Sequence, residues 1–179
     1  NLMKKLLLLA AAAALLAPQA YGKEKKTSAP ASTIKVRNVL EPAAYGATHF
    51  GGYLGEKLDL CIDNRLMAQD IERVVQPCRD KPDGNWGFRS EFWGKWYTAA
   101  MQGYGDAATT ENRAVVDKAV QELIATQDKN GYIGTYLDEN HLGEWDIWGR
   151  KYVMLGLLAY YDQTQDKSVR DAACKVADN

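Results

Sequence analysis

The sequence predicts an all-α fold made of stacked helical hairpins, read here as roughly the first half of a closed α/α toroid. Two observations lead there. Beyond residue 55 the apolar residues recur at helical rather than alternating spacing, giving helices at about 56–76, 90–103, 111–126, 146–162 and 167–178. These helices are of two alternating kinds, and the alternation repeats. Trp93-Gly94-Lys95 and Tyr97 recur as Trp148-Gly149-Arg150 and Tyr152 at an offset of 55; Arg113 and Lys118 recur as Arg170 and Lys175 at 57. Units of this length cannot bury their apolar faces alone and therefore stack. An open solenoid would give a similar pattern, so the ring is a preference at this point.

Taken in order, residues 1–22 read as a signal peptide. Lys4 and Lys5 precede an apolar run over 6–17, and Ala20-Tyr21-Gly22 places small residues at −3 and −1, with cleavage expected after Gly22. The run is shorter than the roughly 20 residues that cross a bilayer. The protein is thus expected to be exported, periplasmic or extracellular, with no membrane attachment after cleavage. Residues 23–50 form a charged Ser/Ala/Pro-rich linker and an extended lead-in, in which 33–39 alternates like a short strand. The remainder, 51–179, is the expected first part of the barrel domain. The chain begins at Asn1 with Met3 the better start, and "DAACKVADN" stops inside a helical pattern, so a fragment is expected.

Within that part, 111–126 places Val116, Ala119, Val120, Leu123 and Ile124 on one stripe, with Arg113, Asp117, Lys118 and Glu122 largely elsewhere. That is a helix with one wet face. Residues 167–178 repeat the type through Val169, Ala172, Ala173 and Val176. By contrast 152–161, "YVMLGLLAYY", is apolar nearly all round and should be surrounded by protein; 96–104 is similar. Between the two kinds, Asn130-Gly131 marks a tight turn, Gly134 a close approach, and Tyr132 and Tyr136 either core or pocket wall.

Composition narrows the partners. Losing the leader removes Lys4 and Lys5 and no acid, moving the net charge from −1 to about −3. Nucleic acid and anionic membranes call for a basic surface and are not expected. The three cysteines show no metal-type spacing, and no metal site is expected in this chain. If 56–76 is helical, Cys61 and Cys78 lie too far apart to bridge. Cys61 and Cys174 read as small buried hydrophobes.

All five Trp (Trp86, Trp93, Trp96, Trp145 and Trp148) fall at or near the starts of the two apolar helices. Helix starts carry unpaired N–H groups, and flat aromatic faces beside charged groups suit a small polar ligand. In an exported protein the natural ligand is a sugar. Trp93, Asp146, Trp148 and Arg150, then Glu91, are the candidate substrate-binding residues. Glu91 and Asp146 are repeat equivalents, each two residues before Trp-Gly, and could face one rim. The competing reading is that the Trp fill the barrel end while Arg150 pairs with Asp146 to hold the junction.

"EFWGKWYTAA", "LIATQDKNGYIGTY" and "WDIWGRKYVMLGLLAYYDQTQD", in that order and spacing, closely resemble the N-terminal half of glycoside hydrolase family 127, the β-L-arabinofuranosidases, formerly a domain of unknown function. The resemblance covers roughly residues 50–179. It implies an (α/α)6 barrel followed by β-sandwich domains, and hydrolysis of terminal β-L-arabinofuranosyl residues from an oligo- or polysaccharide. It also implies a zinc-bound Cys nucleophile with Glu and Cys ligands in the full-length protein. This chain has no adjacent Cys pair and no Glu-x-Cys, so no cofactor is placed on it and the catalytic positions are expected beyond residue 179. The family's His-Glu-Leu-Tyr-Cys type helix entrance is replaced here by "WDIWG". Two other classes compete: a non-catalytic carbohydrate-binding toroid, and another α/α-barrel sugar enzyme such as an epimerase or uronyl hydrolase.

Overall fold

A computed structural model describes residue 40, residues 42–83 and residues 89–179. The leader, most of the linker, the alternating stretch 33–39 and Trp86 lie outside the described residues. Pro42–Asn179 forms one unit, and its described residues hold six α-helices and no strand. They are α1 (Gly52–Cys61), continued by a π-helical turn Ile62–Leu66, then α2 (Ile71–Asp80), α3 (Ser90–Asp106), α4 (Thr110–Ile124), α5 (Asp146–Thr164) and α6 (Lys167–Asp178).

The helices lie in two rows. In one row the π-turn packs on α3 and α3 packs on α5; in the other α2 touches α4 and α4 touches α6. The α3–α5 contact is the most extensive among the described residues. Its pairs advance together along both helices: Ser90 meets Gly149, Gly94 meets Tyr152, and Gln163 Nε2 donates to the Met101 carbonyl at 2.6 Å. The two helices therefore run parallel, with their N-termini at the same end. At Gly94 a Cβ would stand 2.1 Å from the Tyr152 carbonyl oxygen, and at Gly149 the same distance from Ser90 Oγ. Only glycine lets the two backbones come this close.

The one-sided helices follow their sequence. Val116, Ala119, Val120 and Leu123 of α4 are buried, as are Val169, Ala172, Ala173 and Val176 of α6. Side chains supply the starts: Thr109 Oγ1 accepts from Asn112 N at 3.1 Å, and Asp166 accepts from Ser168 N at 2.9 Å. The Asp166 carboxyl is held below its ordinary pKa by its bonds from Ser168. After α4, Gly131 turns the chain with φ +100°, and a Cβ there would lie 2.5 Å from the Lys175 carbonyl oxygen.

Three expectations are corrected. The helix read at 56–76 is two helices. The chain leaves helical geometry after Met67 and restarts at Asp70, whose carboxylate caps α2 by accepting from Arg73 N at 3.2 Å. The apolar spacing runs across that break and concealed it. Helix α5 is covered on only part of its circumference: Val153, Leu157 and Tyr160 are buried, whereas Leu155 and Leu158 are over two-fifths exposed. Its packing partners, α3 and α6, lie on the other side. Finally, Cys61 and Cys174 are exposed and Cys78 is the buried cysteine; all three are free. Burial pushes the Cys78 thiol up to about 12.

Candidate functional site

The parallel packing of α3 and α5 brings their entrances together, and two clusters form there. The inner one surrounds Asp146, which is only 2 % exposed. Its Oδ1 accepts from the Tyr132 hydroxyl at 2.8 Å. Its Oδ2 accepts from Leu142 N at 2.8 Å and from Arg150 Nε at 2.9 Å. Arg150 is also buried; its Nη1 donates to Asn179 Oδ1 at 2.9 Å, and the guanidinium lies 4.6 Å from the Tyr132 ring centroid. The carboxylate is fully engaged, and the guanidinium is held by Nε and Nη1, while the buried Nη2 faces Asp146 Oδ2 at 2.8 Å as an ion pair without hydrogen-bond geometry.

The loop before α5 is tied into this cluster. The Tyr132 hydroxyl accepts from Tyr136 N at 3.0 Å, Tyr136 accepts from Trp145 N at 3.2 Å, and His141 lies on the Tyr132 ring at 3.8 Å between centroids. Tyr132 and Tyr136 are core residues, 0 % and 1 % exposed. Burial holds the Tyr132 hydroxyl well above its ordinary pKa, so it stays a donor to Asp146. Asp146 is thus engaged by Arg150 and the 132–145 loop, and Arg150 by Asp146 and Asn179.

The outer cluster is partly open to solvent: its tryptophans and lysines reach the surface, while the Glu91 side chain is 13 % exposed. Trp148 Nε1 donates to Glu91 Oε2, and Lys95 Nζ stands 3.2 Å from Glu91 Oε1. Trp148 meets Trp145 edge-on at 6.2 Å and Tyr152 at 5.2 Å. Lys151 Nζ sits 3.6 Å from the Trp148 centroid and 4.2 Å from that of Tyr152. Trp148 is 38 % and Trp145 54 % exposed. Together these give aromatic surface, one carboxylate and two ammonium groups, the makeup of a site for a hydroxyl-rich ligand.

The five candidate residues therefore divide. Glu91 and Trp148 meet each other at the surface; Asp146 and Arg150 pair beneath the loop. Trp93 joins neither: it is fully buried, stacked on Tyr97 at 4.4 Å and 17°, and its N–H has no acceptor among the described residues. Three residues beside Trp148 escaped the sequence reading, namely Lys95, Lys151 and Tyr152. Their spacing was a usable signal, since Lys95 follows Glu91 by four and Tyr152 follows Trp148 by four. Among the described residues no three His, Cys, Asp or Glu side chains converge as a metal site, and none of the cysteines belongs to such a group.

Among known proteins, a family model described as the β-L-arabinofuranosidase, GH127 catalytic domain matches residues 45–179. No curated protein matches the chain, and no solved structure does.

Proposed function

The chain belongs to the GH127 β-L-arabinofuranosidase catalytic-domain family, and from that premise we propose that it is part of an exported glycoside hydrolase releasing terminal β-L-arabinofuranosyl residues from plant-type glycans. The observation that carries this reading onto the chain's own residues is the partly open Glu91–Trp148 cluster at the shared end of two parallel helices. Trp145 offers an apolar face to a sugar ring beside Trp148, Glu91 accepts from hydroxyls, and Lys95 and Lys151, which lie over the Trp148 ring, donate to them. Asp146 and Arg150 act as positioning residues, fixing the loop and the first turn of α5 from which Trp148 projects. The two helical rows are read as an arc of an (α/α)6 toroid, with α1, α3 and α5 inside.

Bond cleavage is assigned to none of these groups. The donors present do not fit a zinc–thiolate centre, so no step is routed through a metal here, and zinc remains a proposal for the complete protein alone. The test is to express the complete protein and assay an aryl β-L-arabinofuranoside with and without a zinc chelator. Release of arabinose is expected, and Trp148→Ala should raise KM more than it lowers kcat. No release from any arabinofuranoside would overturn the hydrolase reading in favour of a binding toroid or a different sugar enzyme.

A further inference from the structure

A second recess lies away from the Asp146 cluster, between the π-turn, α2 and α3. It is a cleft of about 820 Å³ whose cationic lining is Arg65, Arg73, Arg89 and Lys95, with Phe92 and Trp96 as its aromatic walls. No Asp or Glu lines it among the described residues. That is a local departure, because the chain as a whole carries 22 basic and 23 acidic residues. The smaller recess, beside Lys81 and Asp128, has both signs and an ion pair across it.

The cations are unequally compensated. Lys95 has Glu91 at 3.2 Å. Arg65 Nη1 donates to the neutral Gln69 Oε1 at 2.6 Å, which orients the guanidinium without cancelling its charge. Neither Arg65 nor Arg73 is in an ion pair among the described residues. The walls are built: Trp96 is held by its N–H to the Leu66 carbonyl at 2.9 Å, and Phe92 is 49 % exposed. Guanidinium forks match planar oxyanions, and this volume is that of a small-ligand site rather than of one inorganic ion.

We infer that this cleft binds a carboxylate-bearing saccharide, a uronate unit of the glycan that also carries the neutral sugar. The inference rests on the carbohydrate reading above and narrows its substrate to an acidic glycan. Arg65 and Arg73 take the carboxylates, and the half-exposed Phe92 takes a ring face, backed by the buried Trp96. The cleft adjoins the outer cluster through Lys95, which touches both Glu91 and the cleft.

The test is calorimetric titration of the complete protein with trigalacturonic acid, with its methyl ester, and with inorganic phosphate. Trigalacturonate is expected to bind, more weakly as salt rises, with the ester at least about tenfold weaker. Arg65→Gln and Arg73→Gln, both at exposed positions, should each weaken binding about tenfold while leaving the thermal midpoint and aryl arabinofuranoside hydrolysis unchanged. Equal binding of acid and ester, indifference of both variants, or phosphate binding as well as trigalacturonate would overturn the inference. Arabinofuranoside hydrolysis without uronate binding would end this inference and leave the hydrolase reading intact. Uronate binding without hydrolysis would do the reverse.

Discussion

The entrances of α3 and α5 carry the same motif and use it in opposite ways. Each begins with an acid paired to a base four residues on, Glu91 with Lys95 and Asp146 with Arg150. Each then has a Trp-Gly pair whose glycine meets the other helix. Yet Trp93 is buried and Trp148 is partly exposed, while Lys95 is 44 % exposed and Arg150 is 4 % exposed. Neighbours explain the inversion. Helix α3 is packed by α2, α4, α5 and the π-turn, so its Trp becomes core; α5 is packed by α3 and α6, and its acid–base pair is roofed by the 132–145 loop. A repeated motif thus fixes the backbone crossing, and the surroundings decide which side chain meets solvent.

The sharpest way to break this comparison is at the acid–base pairs. Asp146→Ala leaves Arg150 buried without its counter-charge and should lower unfolding free energy by about 3–5 kcal/mol. Glu91→Ala removes a partly exposed pair, with Lys95 still reaching water, and should cost less, about 1 kcal/mol. Denaturant midpoints of the two variants should differ accordingly; equal losses would mean that the entrances are equivalent after all. The tryptophans offer the next contrast. Trp93→Ala empties a core position at a cost of about 3–5 kcal/mol, whereas Trp148→Ala should shift stability by under about 1 kcal/mol and show its effect in sugar binding.

A smaller effect separates buried from open titrating groups. Burial raises Cys78 and Tyr160 to about 12 and Tyr97 further still. Their folded values exceed their unfolded ones, so the stability they contribute is complete below the ordinary thiol and phenol values and is lost as pH climbs through the raised ones. The denaturation midpoint should hold to pH about 9 and fall between about 10 and 12. At neutral pH, iodoacetamide should modify Cys61 and Cys174 in the native protein and leave Cys78 until it unfolds; early labelling of Cys78 would place it at the surface.

Much of the frame was readable from spacing. The limits of α3 to α6 fall within three residues of those read from periodicity, because one-sided stripes and capping residues such as Thr109 and Asp166 act locally. The break at residues 67–70 was not readable, since its signal was one capping aspartate inside an unbroken apolar pattern. At the candidate site, sequence marked the two helix entrances, and packing divides the five candidates between surface and interior. Trp93 and Trp148 share an acid two residues before and Gly then a base after, and packing from elsewhere in the chain tells them apart. Arg65 and Arg73 gave no motif, because their shared cleft depends on how the turn between α1 and α2 folds.

The glycine crossing of α3 and α5 has a further consequence. Where backbone rests on backbone, as at Gly94 against Tyr152, no compressible layer of side chains separates the two helices. The joint behaves as a hard bearing, and the spacing of its two ends does not depend on what the rim residues are. Glu91, Lys95, Trp148 and Lys151 can then be exchanged without shifting the mount that carries them. A scaffold of this kind can diversify in what it recognises while its geometry stands still.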